Sequence, residues 1–262
     1  MTQTRSHGRK AIQVSARPRS LMDENPDYVD VFQARIVTLF PEAFPGVLGL
    51  SLTGKALKDG LWQLHTHDLR QFGVGKHRNV DDTPAGGGAG MVLRPDVVGA
   101  ALDEAQSNAR GNWPILYMSP RGKPFDQRMA ETFARCDGLT ILCGRFEGVD
   151  ERVIERYSIT EVSLGDFVMT GGEIAAQAIL DTTVRLLPGV LGNATSTEDG
   201  SFANGLLEHP QYTRPAEWQG MNIPDVLMSG NHGEIAKWRR AMAERLTQER
   251  RPDLWNKQDN SD

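Results

Sequence analysis

Three glycine-containing segments have the composition of loops that bind a flat ligand. They are residues 119–122 (SPRG), 144–148 (GRFEG) and 165–172 (GDFVMTGG), and each follows a run of residues typical of a β-strand. In parallel α/β sheets, ligands bind at the carboxyl ends of strands, where glycine lets the backbone approach a ring closely. The pattern favours a cofactor pocket, although glycines that merely end strands and begin helices would give the same pattern.

Three ionisable side chains are candidates for acid, base or electrostatic chemistry. Glu147 lies between two glycines, where it could face a cation or a ligand, or could simply be a surface residue before a helix. Arg185 follows Asp181 by four residues, which is the spacing of an ordinary helical ion pair. Asp199 lies in a polar segment, where a solvated loop carboxylate is the plainer interpretation. The residues alone leave these roles open.

Familiar nucleotide and metal motifs do not match. Residues 73–78 (GVGKHR) have arginine where a dinucleotide fingerprint needs its third glycine. Residues 49–56 (GLSLTGKA) end in alanine where a phosphate loop needs a serine or threonine hydroxyl. His65 and His67 alternate along a predicted strand with no further ligand nearby. We therefore expect no NAD site, no phosphate loop and no metal site.

Composition indicates a globular chain of 262 residues, 39% of them hydrophobic, with a formal charge of -5. Apolar runs are too short for a membrane helix or a secretory signal, so no membrane association is expected. The net charge is not that of a nucleic-acid binder, yet residues 1–20 and 237–251 are locally basic. Cys136 and Cys143 have no metal-ligand spacing, which favours buried, reduced thiols and a cytoplasmic location.

Strand-like and helix-like patterns alternate along the chain from Ala34, which predicts an α/β domain with a largely parallel sheet. Strands are expected at 34–39, 61–69, 114–118, 139–143 and 159–163, and helices near 47–60, from Pro95 through Ala105, near 124–135, near 149–157, and over 172–187 and 233–250. The predicted divisions are a flexible basic arm (1–31), the α/β domain (32–191), a flexible linker (192–200) and a small helical C-terminal domain (201–262).

Motifs over most of the chain resemble those of the bacterial tRNA (guanine-N1)-methyltransferases that modify guanosine 37, beside the anticodon. The most telling segment is residues 142–152 (LCGRFEGVDER). The others follow in the family's order, at 80–91 (VDDTPAGGGAGM), 117–122 (YMSPRG), 163–173 (SLGDFVMTGGE), 185–192 (RLLPGVLG), 212–215 (YTRP) and 229–235 (SGNHGEI). The resemblance extends from about Ala34 to about Arg251.

This resemblance implies a SPOUT-type parallel sheet with a deep trefoil knot, S-adenosylmethionine held in the knot loops, an obligate homodimer, and a tRNA-binding C-terminal domain. The residues do not indicate whether the reaction requires Mg²⁺. The family's cofactor positions, together with the candidate Glu147, fall on Tyr117, Met118, Ser119, Pro120, Gly144, Glu147, Leu164, Gly165, Phe167, Val168, Met169, Gly171 and Gly172.

The implied catalytic pair is Asp199, which would take the proton from guanine N1, and Arg185, which would steady the charge on O6. Counted without a gap, however, the family's aspartate position falls on Gly200, one residue after Asp199. Two alternatives therefore stay open. One is a SPOUT relative that methylates a ribose 2′-hydroxyl, and the other is a non-catalytic RNA-binding module that has kept the fold.

Overall fold

The computed structural model describes residues 31–191, 201–202 and 204–258. The predicted linker with Asp199 and Gly200 lies outside the described residues, as do residues 1–30 of the predicted arm.

The described residues form short strands and helices in alternation over the first two thirds of the chain. The strands are β1 (Phe32–Thr38), β2 (Trp62–Asp68), β3 (Asp81–Asp82), β4 (Val92–Leu93), β5 (Ile115–Pro124), β6 (Gly138–Leu142), β7 (Thr160–Ser163), β8 (Glu217–Trp218) and β9 (Met221–Asn222). The helices are α1 (Ser51–Lys58), α2 (Pro95–Gln106), α3 (Gln127–Ala134), α4 (Glu151–Arg156), α5 (Glu173–Val184), α6 (Asp225–Met228), α7 (His232–Arg250) and α8 (Pro252–Gln258).

Five strands form one sheet in the order β2, β1, β6, β5, β7, and every neighbouring pair is parallel. The predicted α/β class and parallel sheet are confirmed. The central strand β6 is buried along its whole length, which explains its nearly continuous apolar sequence, since a parallel strand is covered on both faces.

Helices cover both faces of the sheet because alternate side chains along each strand point to opposite sides. One face packs against α1, α3 and α5, with Ile36 and Ile141 at its centre. The other packs against α2 and α4, with Val37 and Leu142 at its centre. Hence both layers of helices hold the strand ends in a fixed arrangement.

Strand β5 extends to Pro124, whereas the sequence predicted that it would end at Met118. Met118 and Lys123 both pair with Val162 of β7, so residues 119–122 leave the ladder and the chain then returns to it. The segment SPRG is therefore an excursion within β5 rather than a loop that follows it. The return to the same partner could not be read from the local sequence, because it depends on pairing with a strand about 40 residues away.

Small elements that the sequence patterns did not indicate are the two-residue ribbons β3–β4 and β8–β9. In the C-terminal part, α7 confirms the predicted helix over 233–250. The side chain of Asn231 caps α7 by accepting a hydrogen bond from the Glu234 N–H at 3.3 Å.

Candidate functional site

Three loops meet at the carboxyl edge of the sheet, because β6, β5 and β7 are neighbours and run parallel. We name them the β5 loop (residues 119–122, the excursion within β5), the β6 loop (144–148) and the β7 loop (164–172). Gly172 lies where they join: its N–H donates to the Gly144 carbonyl at 3.1 Å. A methyl group on Gly172 would lie 2.9 Å from Cys143 Cα and 3.1 Å from Met118 Cβ. The ends of all three strands therefore converge on this glycine.

The backbone of these loops is unusual at three places. Phe146 has φ +59°, a left-handed conformation that non-glycine residues adopt rarely and that clusters at functional sites. Gly148 and Gly165 also have positive φ, at +119° and +151°. Phe146, Phe167 and Val168 are exposed apolar side chains, with Val168 84% exposed. The edge thus combines a close-packed backbone with open apolar surface, as a site for a flat, partly apolar ligand requires.

The two residues before the β5 loop point to opposite faces of the sheet. Met118 packs in the core on the α5 side, and Tyr117 packs on the α2 and α4 side. The Tyr117 ring lies beneath the β6 loop, since a methyl group on Gly144 would lie 2.8 Å from its hydroxyl. Burial raises the pKa of Tyr117. Its hydroxyl is therefore neutral at physiological pH, and it supports the loop from below.

The other predicted cofactor positions also lie along this edge. Ser119 is buried, and its Oγ accepts from the Arg121 N–H at 3.2 Å. Pro120 is exposed, whereas Leu164 and Met169 are partly buried against the core. The structure thus brings the positions Tyr117, Met118, Ser119, Pro120, Gly144, Glu147, Leu164, Gly165, Phe167, Val168, Met169, Gly171 and Gly172 to one end of three adjacent strands.

Glu147 has an exposed side chain that packs over Gly90. A methyl group on Gly90 would lie 2.4 Å from the Glu147 carboxylate. The Glu147 N–H donates to the Met91 carbonyl and the Leu93 N–H to the Gly148 carbonyl, both at 2.9 Å. The segment around β4 is therefore a fourth wall of the site. Sequence reasoning missed it, although the glycine-rich residues 86–90 were its signal.

A buried polar cluster also escaped sequence reasoning. The Arg145 guanidinium forms an ion pair with Glu173, Nη2 to Oε2 at 2.8 Å, and donates from Nη1 to the Thr170 carbonyl at 3.1 Å. The other Glu173 oxygen accepts from the Thr38 hydroxyl at 2.8 Å. Arg145 also lies over the ring of Phe40, 4.3 Å from its centroid. The signal for this cluster was an arginine and a glutamate placed next to the glycines of two loops.

Arg185 lies away from the loops. It is the C-cap residue of α5, twelve residues after Glu173, which corresponds to about 18 Å along a helix. Of the residues that the structure describes, Asp181 does not pair with Arg185 and accepts instead from the Thr53 hydroxyl at 3.1 Å. The structure therefore excludes the helical ion pair as the role of Arg185, and α5 places Arg185 away from Gly172.

Both cysteines are buried and free, as predicted. Burial, and then the nearby Glu173 carboxylate, raise the pKa of the Cys143 thiol. Across residues 31–191, 201–202 and 204–258, no three His, Cys, Asp or Glu side chains gather as metal ligands. Within the same ranges, no helix is long and apolar enough to span a membrane.

The fold and the candidate site together define an α/β protein in which glycine-rich loops meet at the carboxyl edge of adjacent parallel strands. The family model described as "tRNA (Guanine-1)-methyltransferase TrmD" matches residues 32–257. The chain therefore belongs to the tRNA (guanine-1)-methyltransferase family.

Relatives from several bacteria agree with this assignment, and each is named tRNA (guanine-N(1)-)-methyltransferase. The protein of Roseobacter denitrificans is 77% identical over 225 residues, which are 86% of this chain and 93% of that protein. The protein of Ruegeria pomeroyi is 72% identical over 90% of this chain and 97% of its own length. That of Brucella ovis is 59% identical over 86% of this chain and 91% of its own.

Proposed function

We infer that this chain transfers a methyl group to N1 of a guanine in tRNA. The observation that carries the inference is the family match over residues 32–257 together with the convergence of the β5, β6 and β7 loops on Gly172. We propose guanosine 37 as the target and S-adenosylmethionine as the methyl donor. The trefoil knot of SPOUT proteins and a cytoplasmic location belong to the same proposal and rest on the family resemblance.

The loops fit such a donor in two respects. Exposed Phe167 and Val168 offer apolar surface to an adenine ring, and Gly148 and Gly165 supply the positive φ that the turns of these loops require. When bound, S-adenosylmethionine supplies the electrophilic methyl group. The loops would bind and orient it, and the close packing around Gly172 would hold their backbones in place.

Guanine N1 carries a proton and is a poor nucleophile, so methylation requires a base at N1–H and positive charge near O6. We assign the base to Asp199 and the charge to Arg185. The one-residue slip against the family's pattern is compatible with this assignment, because Gly200 has backbone freedom that other residues lack. Extracting the guanine from its stack costs a few kcal/mol, and contacts to the RNA must offset that cost.

We propose that two chains build each site. Arg185 lies about 18 Å from Glu173 along α5, so a second chain is the simplest way to bring an arginine to a guanine beside the loops. An exposed apolar surface supports pairing: Val47, Leu50 and Ile174 are 62%, 66% and 67% exposed. Gln177, one turn after Ile174, donates to the Ala43 carbonyl at 3.0 Å, which places α5 against the segment that carries Val47.

A complementation assay tests the two-chain site. With the donor well below its KM, Gly172→Ala lowers donor occupancy of the loops and Arg185→Ala removes the charge for O6, so each homodimer should have low activity. Mixed dimers would carry one site with both changes and one site with neither. After random exchange, half of the dimers are mixed, and we expect about a quarter of the wild-type activity. No recovery after verified exchange would contradict a site shared in this way.

The C-terminal part is proposed to bind the RNA. In α7, Arg240 forms an ion pair with Glu244, and Arg245 forms one with Glu249, each with an N to O distance of 2.8 Å. Arg239 has no ion pair with any residue that the structure describes, and it is exposed. It is therefore available to a phosphate group.

The reaction itself is tested with labelled methyl donor and unmodified tRNA, followed by digestion and identification of the product nucleoside. We expect 1-methylguanosine from tRNA with G37 and none from a G37→A transcript. A methylated ribose would support the 2′-O-methyltransferase alternative. Donor-independent RNA binding without any methylated product would support the non-catalytic alternative.

A further inference from the structure

We propose that Glu173 is a positioning residue that fixes the distance between the β6 loop and the β7 loop, and that it thereby sets the affinity for the methyl donor. This proposal rests on the proposed function, because it assumes that these loops hold S-adenosylmethionine.

Glu173 joins three segments that are far apart in the sequence. Its Oε2 pairs with Arg145 of the β6 loop at 2.8 Å, and its Oε1 accepts from Thr38 at the end of β1 at 2.8 Å. It follows the β7 loop directly and begins α5. Arg145 in turn donates to the Thr170 carbonyl inside the β7 loop, at 3.1 Å. Two donor loops and a third strand are thus tied to one carboxylate.

The Glu173 carboxylate is almost fully buried, so its charge requires partners within the protein. Its side chain is 5% exposed, and that of Arg145 is 24% exposed. A buried carboxylate is tolerated when it is paired and hydrogen-bonded, and the first turn of a helix adds favourable positive potential. Glu173 pairs with Arg145 and accepts a hydrogen bond from Thr38. It is also the first residue of the 12-residue helix α5.

The surrounding backbone is shaped around the pair. A methyl group on Gly171 would lie 2.2 Å from Arg145 Nε and 2.6 Å from Glu173 Oε2. The glycine therefore leaves the space that the ion pair fills. Phe40 holds the guanidinium from the other side, with its ring centroid 4.3 Å from Arg145 Cζ. The guanidinium is thus enclosed by Glu173 and Phe40, and these contacts restrict where the β6 loop lies.

The expected consequence is a selective loss of donor affinity. When a binding-competent arrangement becomes less populated, the apparent dissociation constant rises in proportion. Glu173→Gln keeps an oxygen that can accept from Thr38 but removes the charge opposite Arg145. We expect the dissociation constant for S-adenosylhomocysteine to rise about tenfold, the lower end for a charge-assisted hydrogen bond, because Arg145 is partly open to water.

The test measures S-adenosylhomocysteine binding by calorimetry, and the KM for the donor, the KM for tRNA and kcat under steady state. Glu173→Gln should raise the donor KM about tenfold while the KM for tRNA and kcat at saturating donor stay near wild type. A purely structural role would lower the active fraction, and with it kcat, without changing the donor KM. Glu104→Gln, an exposed glutamate paired with His67, is the matched control and should change none of these values.

Thr38 gives a second test that leaves the ion pair in place. Thr38→Val removes the hydroxyl and should weaken donor binding about tenfold, the lower end for a hydrogen bond to a charged group, whereas Thr38→Ser should restore it. This pair of variants decides the question if Glu173→Gln does not fold.

Unchanged donor binding in Glu173→Gln, or in Thr38→Val where the first variant does not fold, overturns the proposal. So does a fall in kcat with an unchanged donor KM. If wild-type protein fails to bind S-adenosylhomocysteine, the proposed function itself is at fault. Wild-type binding with insensitive variants refutes only the positioning role.

Discussion

Adding a single methyl group at Gly172 should separate the loops that we propose hold the donor. Gly172 has φ -83° and ψ -7°, which alanine adopts without strain, so Gly172→Ala changes packing rather than backbone preference. The new carbon would lie 2.9 Å from Cys143 Cα, 3.1 Å from Met118 Cβ and 3.2 Å from Gly144 N. Favourable separations between carbon atoms are about 3.5 to 4.0 Å. None of the three atoms can rotate away, so the β6 loop and the β7 loop must move apart.

The magnitude follows from the cost of overpacking, about 1 to 3 kcal/mol when added carbon meets a rigid wall. Because the strain is relieved by parting the loops, the same energy opposes their donor-binding arrangement. An energy of that size corresponds to about 5- to 160-fold weaker binding. We expect this range for S-adenosylhomocysteine in calorimetry, together with a melting temperature lowered by about 2 to 12 °C.

The matched control is Gly233→Ala in the first turn of α7. Its methyl group would meet nothing closer than Asn231 Oδ1 at 3.5 Å, and alanine is favoured within helices. It should bind S-adenosylhomocysteine as wild type does. If Gly172→Ala also binds within twofold of wild type, then the junction of the three strands does not set the donor site, and the reasoning from convergence is wrong.

Three further outcomes are expected. Asp199→Ala should lower the single-turnover rate of methyl transfer by about 10²- to 10⁴-fold with donor affinity unchanged. Glu198→Ala should leave this rate near the wild-type value. If Asp199→Ala transfers the methyl group at a near wild-type rate, another group is the base. Arg239→Gln should reduce the slope of the logarithm of the tRNA association constant against log salt concentration by about 0.7 to 0.9. Arg240→Gln should reduce this slope less, because Arg240 is already paired in α7. If the two variants have equal slopes, Arg239 does not belong to the RNA surface. Because burial raises the pKa of Cys143, its thiol stays protonated and should react with iodoacetamide at pH 8 only after unfolding; rapid labelling of native protein, located by mass spectrometry, would contradict this.

The strands of the sheet could be predicted because their burial is visible in local composition. The segment expected at 139–143 forms β6 at 138–142, since a strand covered on both faces needs apolar residues in succession. The convergence of the three loops was also accessible: glycines at strand ends indicated the loops, and parallel pairing then places such ends together.

The features that could not be predicted from the sequence depend on contacts between residues that are far apart in the chain. The Thr38 hydroxyl donates a hydrogen bond to Glu173 Oε1 at 2.8 Å, although the two residues are 135 positions apart in the sequence. No local pattern predicts this contact. The excursion of β5 exists because Lys123 returns to Val162, which Met118 also pairs with. Phe146 adopts φ +59° in a segment where its glycine neighbours gave the more obvious signal. Each of these features is stabilised by tertiary contacts that override local preference.

In the proposed reaction, the methyl donor and the guanine are handled by different parts of the chain. The donor half is compact, because residues 117–120, 144–148 and 164–173 meet at one edge and are tied by Gly172 and Glu173. The acceptor half, assigned to Arg185, Asp199 and the basic helix α7, begins at the far end of α5. Methyl transfer requires the reacting atoms to come within about 3 to 3.5 Å. Under the two-chain proposal, we therefore expect the site to form fully only when tRNA and a second chain are present, which would protect the donor from reaction with water beforehand.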